Sequence, residues 1–186
     1  MTENTHPRSH ESAASAAGDA GAADRSTGIA RATERDVPII LQMIRELAEY
    51  ERMSDEVVAT EQRLRESLFG ARPDAEVIIA YAGSEPAGFA LFFHNYSTFL
   101  GRRGLYLEDL FVKPAFRGRG IGKRLLVELA RIAVERGCGR FEWTVLDWNQ
   151  PAIGFYKSLG AQSMDAWKIF RVAGDALTRL ANTTAG

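Results

Sequence analysis

The residues best suited to chemistry gather in one stretch, Leu105-Tyr-Leu-Glu-Asp-Leu-Phe-Val-Lys-Pro-Ala-Phe-Arg-Gly-Arg-Gly-Ile-Gly-Lys-Arg-Leu-Leu126. A hydrophobic run carries two adjacent carboxylates, Glu108 and Asp109, and a glycine-rich turn then leads into an amphipathic helix. Glycines let backbone N–H groups approach an anion closely, and a helix N-terminus adds partial positive charge. With Arg117, Arg119, Lys123 and Arg124 around it, the turn reads as a cradle for a diphosphate. The plainer alternative is a glycine-rich turn whose arginines face solvent. Two standard phosphate motifs fail. A Walker A loop needs Gly and Ser or Thr where Arg117 and Arg124 stand. A dinucleotide fingerprint needs G-x-G-x-x-G, whereas Gly118, Gly120 and Gly122 are spaced G-x-G-x-G.

The elements that must position these groups follow from periodicity. Ile29–Thr33 reads as a strand, and Thr33 with Asp36 frames a helix start in which Asp replaces the usual Glu or Gln. Ile40, Met43, Ile44 and Leu47 predict a helix to about Tyr50, and Thr60–Phe69 predicts a second one stopped by Gly70. Val77–Tyr81 and Ala87–Phe93, joined by Gly83-Ser84-Glu85, predict a hairpin. A loop is expected over 94–104 and a strand over Leu105–Val112. Ile121, Leu125, Leu129 and Ile132 then line one face of a helix over Gly120–Arg136. A strand Phe141–Leu146, a helix Pro151–Leu159 and a last strand Trp167–Val172 complete the order. The class is α/β: a mixed, mostly antiparallel twisted sheet flanked by helices.

Composition narrows the function. The chain has 186 residues, 23 basic and 24 acidic. Residues 1–27 contain two of the basic and four of the acidic side chains, leaving 21 against 20 from Gly28 onward. Such a balance supplies no field to hold a polyanion, which argues against nucleic acid as a partner. Residues 2–28 lack Val, Ile, Leu and Phe, so 1–27 is expected to be a disordered tail rather than a signal peptide. The domain is expected to be 28–186. No apolar run approaches the ~20 residues of a membrane span. One cysteine, Cys138, permits no internal disulfide and suits a reducing cytoplasm. Three histidines, two of them in the tail, make a histidine-based metal site an unattractive reading, and no metal is expected.

Two separate patterns resemble one family. Arg117-x-x-Gly120-x-Gly122, after Phe111-Val112-x-Pro114 and before Leu125-Leu126, resembles the acetyl-CoA motif of the GNAT superfamily of N-acetyltransferases. Asn149-Gln-Pro-Ala-Ile-Gly-Phe-Tyr156-Lys-Ser-Leu-Gly-Ala161 resembles that superfamily's second signature. The resemblance covers about Ile29 to Val172 and implies the GNAT fold. Arg45-Glu-Leu-Ala-Glu-Tyr50-Glu51, Tyr106–Val112 and Val145–Pro151 are further similar to the diamine branch, which includes spermidine/spermine and thialysine acetyltransferases. The stretch after Gly160 is shorter than in that branch, and its acidic pair before the Trp is reduced to Asp165.

The resemblance implies direct acetyl transfer from acetyl-CoA to a small primary amine, in a cytoplasmic homodimer. It assigns Glu108 as the base and Tyr156 as the acid for the leaving thiolate. Backbone groups of Leu110, Phe111 and Val112, the turn Arg117, Gly118, Arg119, Gly120, Ile121, Gly122 and Lys123, and Asn149 with Tyr156 would hold acetyl-CoA. Glu51, Glu108, Asp109 and Asp165 would face the amine. Read without the resemblance, Glu108 is a strand-end carboxylate, Tyr156 a packed ring, Asn149 a helix cap and Glu51 a solvated helix end. Strand alternation turns Asp109 away from Glu108 unless a bulge intervenes. Rival functions are acetylation of a protein or peptide amine, and a silent acyl-CoA-binding sensor.

Overall fold

The computed structural model describes residues 28–184. The expected tail over 1–27 lies outside the described residues. The elements run β1 (Gly28–Arg31), α1 (Val37–Glu51), α2 (Glu61–Phe69), β2 (Glu76–Ala82), β3 (Glu85–Ser97), β4 (Arg102–Val112), α3 (Ile121–Glu135), β5 (Phe141–Trp143), α4 (Gln150–Ser158) and α5 (Gly174–Ala181). Contacts divide the chain at Thr144 into a larger unit, with the whole sheet, and a smaller one from Val145.

In the larger unit the sheet order is β1-β2-β3-β4-β5, antiparallel except for the parallel β4–β5 pair. Local chemistry explains the helix starts. The Asp36 carboxylate accepts from the Thr33 N–H at 2.7 Å and from its hydroxyl at 2.8 Å, so Asp serves where Glu is usual. Thr60 caps α2 by accepting from the Arg63 N–H at 3.2 Å. One core joins Val37, Ile40, Met43 and Leu47 of α1 and Leu64 and Leu68 of α2 to Val77, Ile79, Tyr81, Phe89 and Phe111 of the sheet. Alternation gives β2 and β3 a second apolar face, with Ile78, Ala80, Ala90 and Phe92 buried. The amphipathic α3 contributes Leu125 and Leu129, fully buried, and contacts β1, β2, β3 and β4. Its far end is clamped: Arg136 donates both terminal nitrogens to Glu76, holding that carboxyl below its usual range. No helix among the described residues is long and apolar enough to cross a membrane.

Three sequence expectations change. The segment 94–104 is no loop: β3 continues to Ser97 and β4 begins at Arg102, leaving only a tight turn. The strand expected to reach Leu146 stops at Trp143. Trp167–Val172 forms no strand: a segment of strand-like composition needs a partner ladder, and none pairs with it among the described residues. Trp167, Ile169 and Phe170 are instead exposed, at 72%, 71% and 90%. The short helix α5 follows, its Leu177 and Leu180 also exposed.

Candidate active site

β4 is where the sheet departs from regularity. Leu91 of β3 pairs with Asp109 while Phe92 pairs with Leu107, so Glu108 is an extra residue, a β-bulge. On its other side β4 pairs with β5 only from Leu105 to Leu107. Beyond the bulge, residues 108–112 have a strand partner on the β3 side alone among the described residues. The parallel strands therefore part at the bulge, leaving backbone hydrogen-bonding groups along an open edge where an extended ligand can lie. Leu110, Phe111 and Val112 are on this segment.

The bulge also resets which way the carboxylates point. Asp109 is in register with Leu91, which packs on the α1–α2 core, and lies two residues from Phe111 of that core. Asp109 thus faces the α1 side and is half-buried, while Glu108 is exposed at the bulge. Burial pushes the Asp109 carboxyl up to about 6, with the charges of Glu108 and Glu51 adding to the rise. Glu51, in the last turn of α1, is half-buried and is likewise raised by burial. Among the described residues none of these three carboxylates has an ion-pair or hydrogen-bond partner. Buried negative charge is costly unless a cation joins it.

The glycine-rich turn follows β4. Gly118 and Gly120 take left-handed backbone angles, φ +76° and +73°, which L side chains adopt only under strain. A Cβ at either would meet open space, so the constraint is conformation and whatever approaches from outside. Gly122 lies inside the first turn of α3 and shows no such φ. An open cleft of about 600 Å3 flanks this helix start, bringing Gly120 together with Lys123, Arg124 and Arg131. Glu128 is the one carboxylate lining it; Glu51, Glu108 and Asp109 do not line it. Arg117 is exposed, and its side chain is tied back to the end of β4 and to α1. Its Nε donates to the Val112 carbonyl at 3.0 Å, and its guanidinium lies 4.6 Å from the Tyr50 ring centre and 5.9 Å from that of Phe111. Arg119 lies over Phe116 at 5.3 Å. Sequence reasoning had no signal for the Tyr50 contact beyond an aromatic residue ending α1.

In the smaller unit, α4 carries the second signature. The Asn149 side chain accepts from the Ala152 N–H at 3.3 Å, capping α4. Tyr156 is half-buried, its ring 5.5 Å from that of Phe155. Asp165 is exposed and accepts from the Ser163 hydroxyl. Among the described residues no cluster of three or more histidine, cysteine or acidic side chains could hold a metal ion.

The sheet opens beside a bulge and is followed by a left-handed glycine turn into a helix, a geometry with room for a ligand that has an extended polar arm and an anionic group. Residues 41–161 match the acetyltransferase (GNAT) family, and the chain belongs to that family. It is an acetyl-CoA-dependent N-acetyltransferase. The chain is 43% identical over 164 residues to a thialysine N-epsilon-acetyltransferase of Sus scrofa, covering 82% of this chain and 96% of that one. It is 36% identical over 191 residues to an L-ornithine N5-acetyltransferase of Arabidopsis thaliana, covering 78% and 84%. Among solved structures, an integron cassette protein from the mobile metagenome of V. cholerae superposes with a TM-score of 0.72. That structure is 31% identical and covers 85% of this chain and 99% of its own.

Proposed function

We propose that this enzyme acetylates a small primary amine bearing a second cationic group, of the polyamine, diamine or thialysine-like kind. The observation that carries the proposal is the set of unpartnered carboxylates, Glu51, Glu108 and Asp109, where a small ammonium is the missing counter-ion. The acceptor must first lose a proton, because an alkyl ammonium titrates near ~10 and is no nucleophile. Glu108, exposed on the bulge, takes that proton directly or through one water. The free amine attacks the thioester carbon, and backbone N–H groups of Leu110 to Val112 stabilise the developing oxyanion. The diphosphate rests on the turn Arg117 to Lys123. Tyr156 protonates the departing thiolate, and Asn149 contacts the cofactor besides capping α4. Glu51, Asp109 and Asp165 attract the amine.

The catalytic domain in this proposal is 28–186, and the working form is a cytoplasmic homodimer that needs neither nucleic acid nor membrane. Trp167, Ile169, Phe170 and Val172, exposed in the single chain, support self-association. The test is CoA release across diamines, thialysine, monoamines of matched reach, amino acids and peptides. Turnover preferring the dicationic amines supports the proposal. Preference for peptide amines points to the protein-acetylating alternative, and binding of acetyl-CoA without turnover of any amine points to the sensor.

A further inference from the structure

The contact between Tyr50 and Arg117 joins the end of α1 to the turn that follows β4. The α1 end is rigidly made. Arg52 closes it at φ 64°, ψ 35°, the one non-glycine residue with positive φ among the described residues. An L side chain holds that conformation only under strain, so the surrounding contacts must enforce it. They include the Met53 N–H, which donates to the Ala48 carbonyl at 2.8 Å. Tyr50 is thus presented from a fixed helix end, and its ring lies 4.6 Å from the Arg117 guanidinium. Arg117 itself is held at a second point, its Nε donating to the Val112 carbonyl at 3.0 Å. Its remaining donors are the two terminal nitrogens, and no carboxylate among the described residues pairs with them.

We propose that Tyr50 is a positioning residue for acetyl-CoA, acting through Arg117 by holding its guanidinium in place for the diphosphate. The inference rests on the diphosphate reading of Arg117–Lys123. Its physical basis is preorganisation. An arginine side chain loses much rotamer freedom when it grips an anion, and a guanidinium already stacked and hydrogen-bonded has less left to lose. Tyr50 is 38% exposed, so its ring seals no core, and truncating it opens no buried cavity.

The test is calorimetric binding of acetyl-CoA to the full chain and to Tyr50→Phe, Tyr50→Leu, Arg117→Met and the Tyr50→Leu/Arg117→Met pair. Tyr50→Phe keeps the aromatic face and is expected to bind as the parent does. Tyr50→Leu is expected to weaken binding about two- to fivefold, the range of a half-exposed cation–π contact. The pair is expected to be no weaker than Arg117→Met alone, because the proposed effect of the ring on acetyl-CoA runs through the guanidinium. Should the leucine variant not fold, Tyr50→Met makes the same comparison. Unchanged affinity in Tyr50→Leu overturns the inference, as does a loss that adds in full to that of Arg117→Met. Absence of acetyl-CoA binding by the parent chain would remove the diphosphate reading and this inference together. Parent binding that ignores Arg117→Met would remove this inference alone.

Discussion

Replacing Asp109 by Asn removes one charge from a half-buried site and leaves the shape almost unchanged. Burial and the nearby Glu108 and Glu51 raise the Asp109 carboxyl from 3.8 to about 6, so at neutral pH the fold carries an ionised group it disfavours. A shift of about two units corresponds to about 3 kcal/mol, which solvent screening at a half-buried position reduces to about 2 kcal/mol. The sign follows from linkage. The native state binds this proton more tightly than the unfolded chain, so wild-type stability falls as pH rises from 3.8 to about 6 and then levels off. Asp109→Asn is therefore expected to be more stable than the parent above about pH 6, and no more stable near pH 4. At roughly 2–4 °C per kcal/mol for a chain of this size, the gain at pH 8 is about 4–8 °C in Tm. Thermal melts from pH 4 to pH 8 make the measurement. A gain independent of pH, or no gain at pH 8, would refute the burial argument. Activity is expected to move the other way, with kcat/KM for a cationic amine falling, because the unpaired charge is what the amine neutralises.

Other consequences follow from the same geometry. Gly120→Val meets no neighbour but is strained at φ +73°, so it is expected to cost about 1–2 kcal/mol of stability and, in the folded variant, to weaken acetyl-CoA binding strongly; equal affinity by calorimetry would count against the cradle. Tyr156→Phe is expected to lower kcat ~10²-fold or more at unchanged acetyl-CoA affinity, and wild-type turnover would return Tyr156 to packing. Phe170→Asp is expected to shift the mass seen by light scattering from dimer to monomer, since Phe170 is 90% exposed in the single chain. A monomeric parent would rule out self-association.

Much of the architecture was legible because periodicity survives in the residues themselves. The 3–4 spacing of Ile40, Met43, Ile44 and Leu47, and of Ile121, Leu125, Leu129 and Ile132, marked α1 and α3 to within a residue or two. What periodicity does not record is pairing. Trp167–Val172 has strand composition but no ladder, and Val145 with Leu146 continues an apolar pattern after β5 has lost contact with β4. Register was equally hidden. Alternation along Glu108-Asp109 assumes an unbroken pleat, and the extra residue at Glu108 becomes visible only once β3 is laid beside it. The glycine turn was readable in kind, although which of its glycines take left-handed angles, Gly118 and Gly120, was not. The stacking of Arg117 on Tyr50 joins residues 67 positions apart, which no local pattern announces.

The central claim is that carboxylates on the α1 side recognise a second positive charge on the acceptor. Steady-state kinetics of the parent and of Glu51→Gln, with a diamine and a monoamine of similar reach, tests it most directly. A charge-assisted contact is worth about 1.5–3 kcal/mol, so KM for the diamine is expected to rise roughly ten- to a hundredfold in Glu51→Gln. The monoamine, with no distal ammonium to lose, is expected to change little. Equal effects on both amines, or failure of the parent to turn over any diamine, would contradict the assignment of a dicationic acceptor.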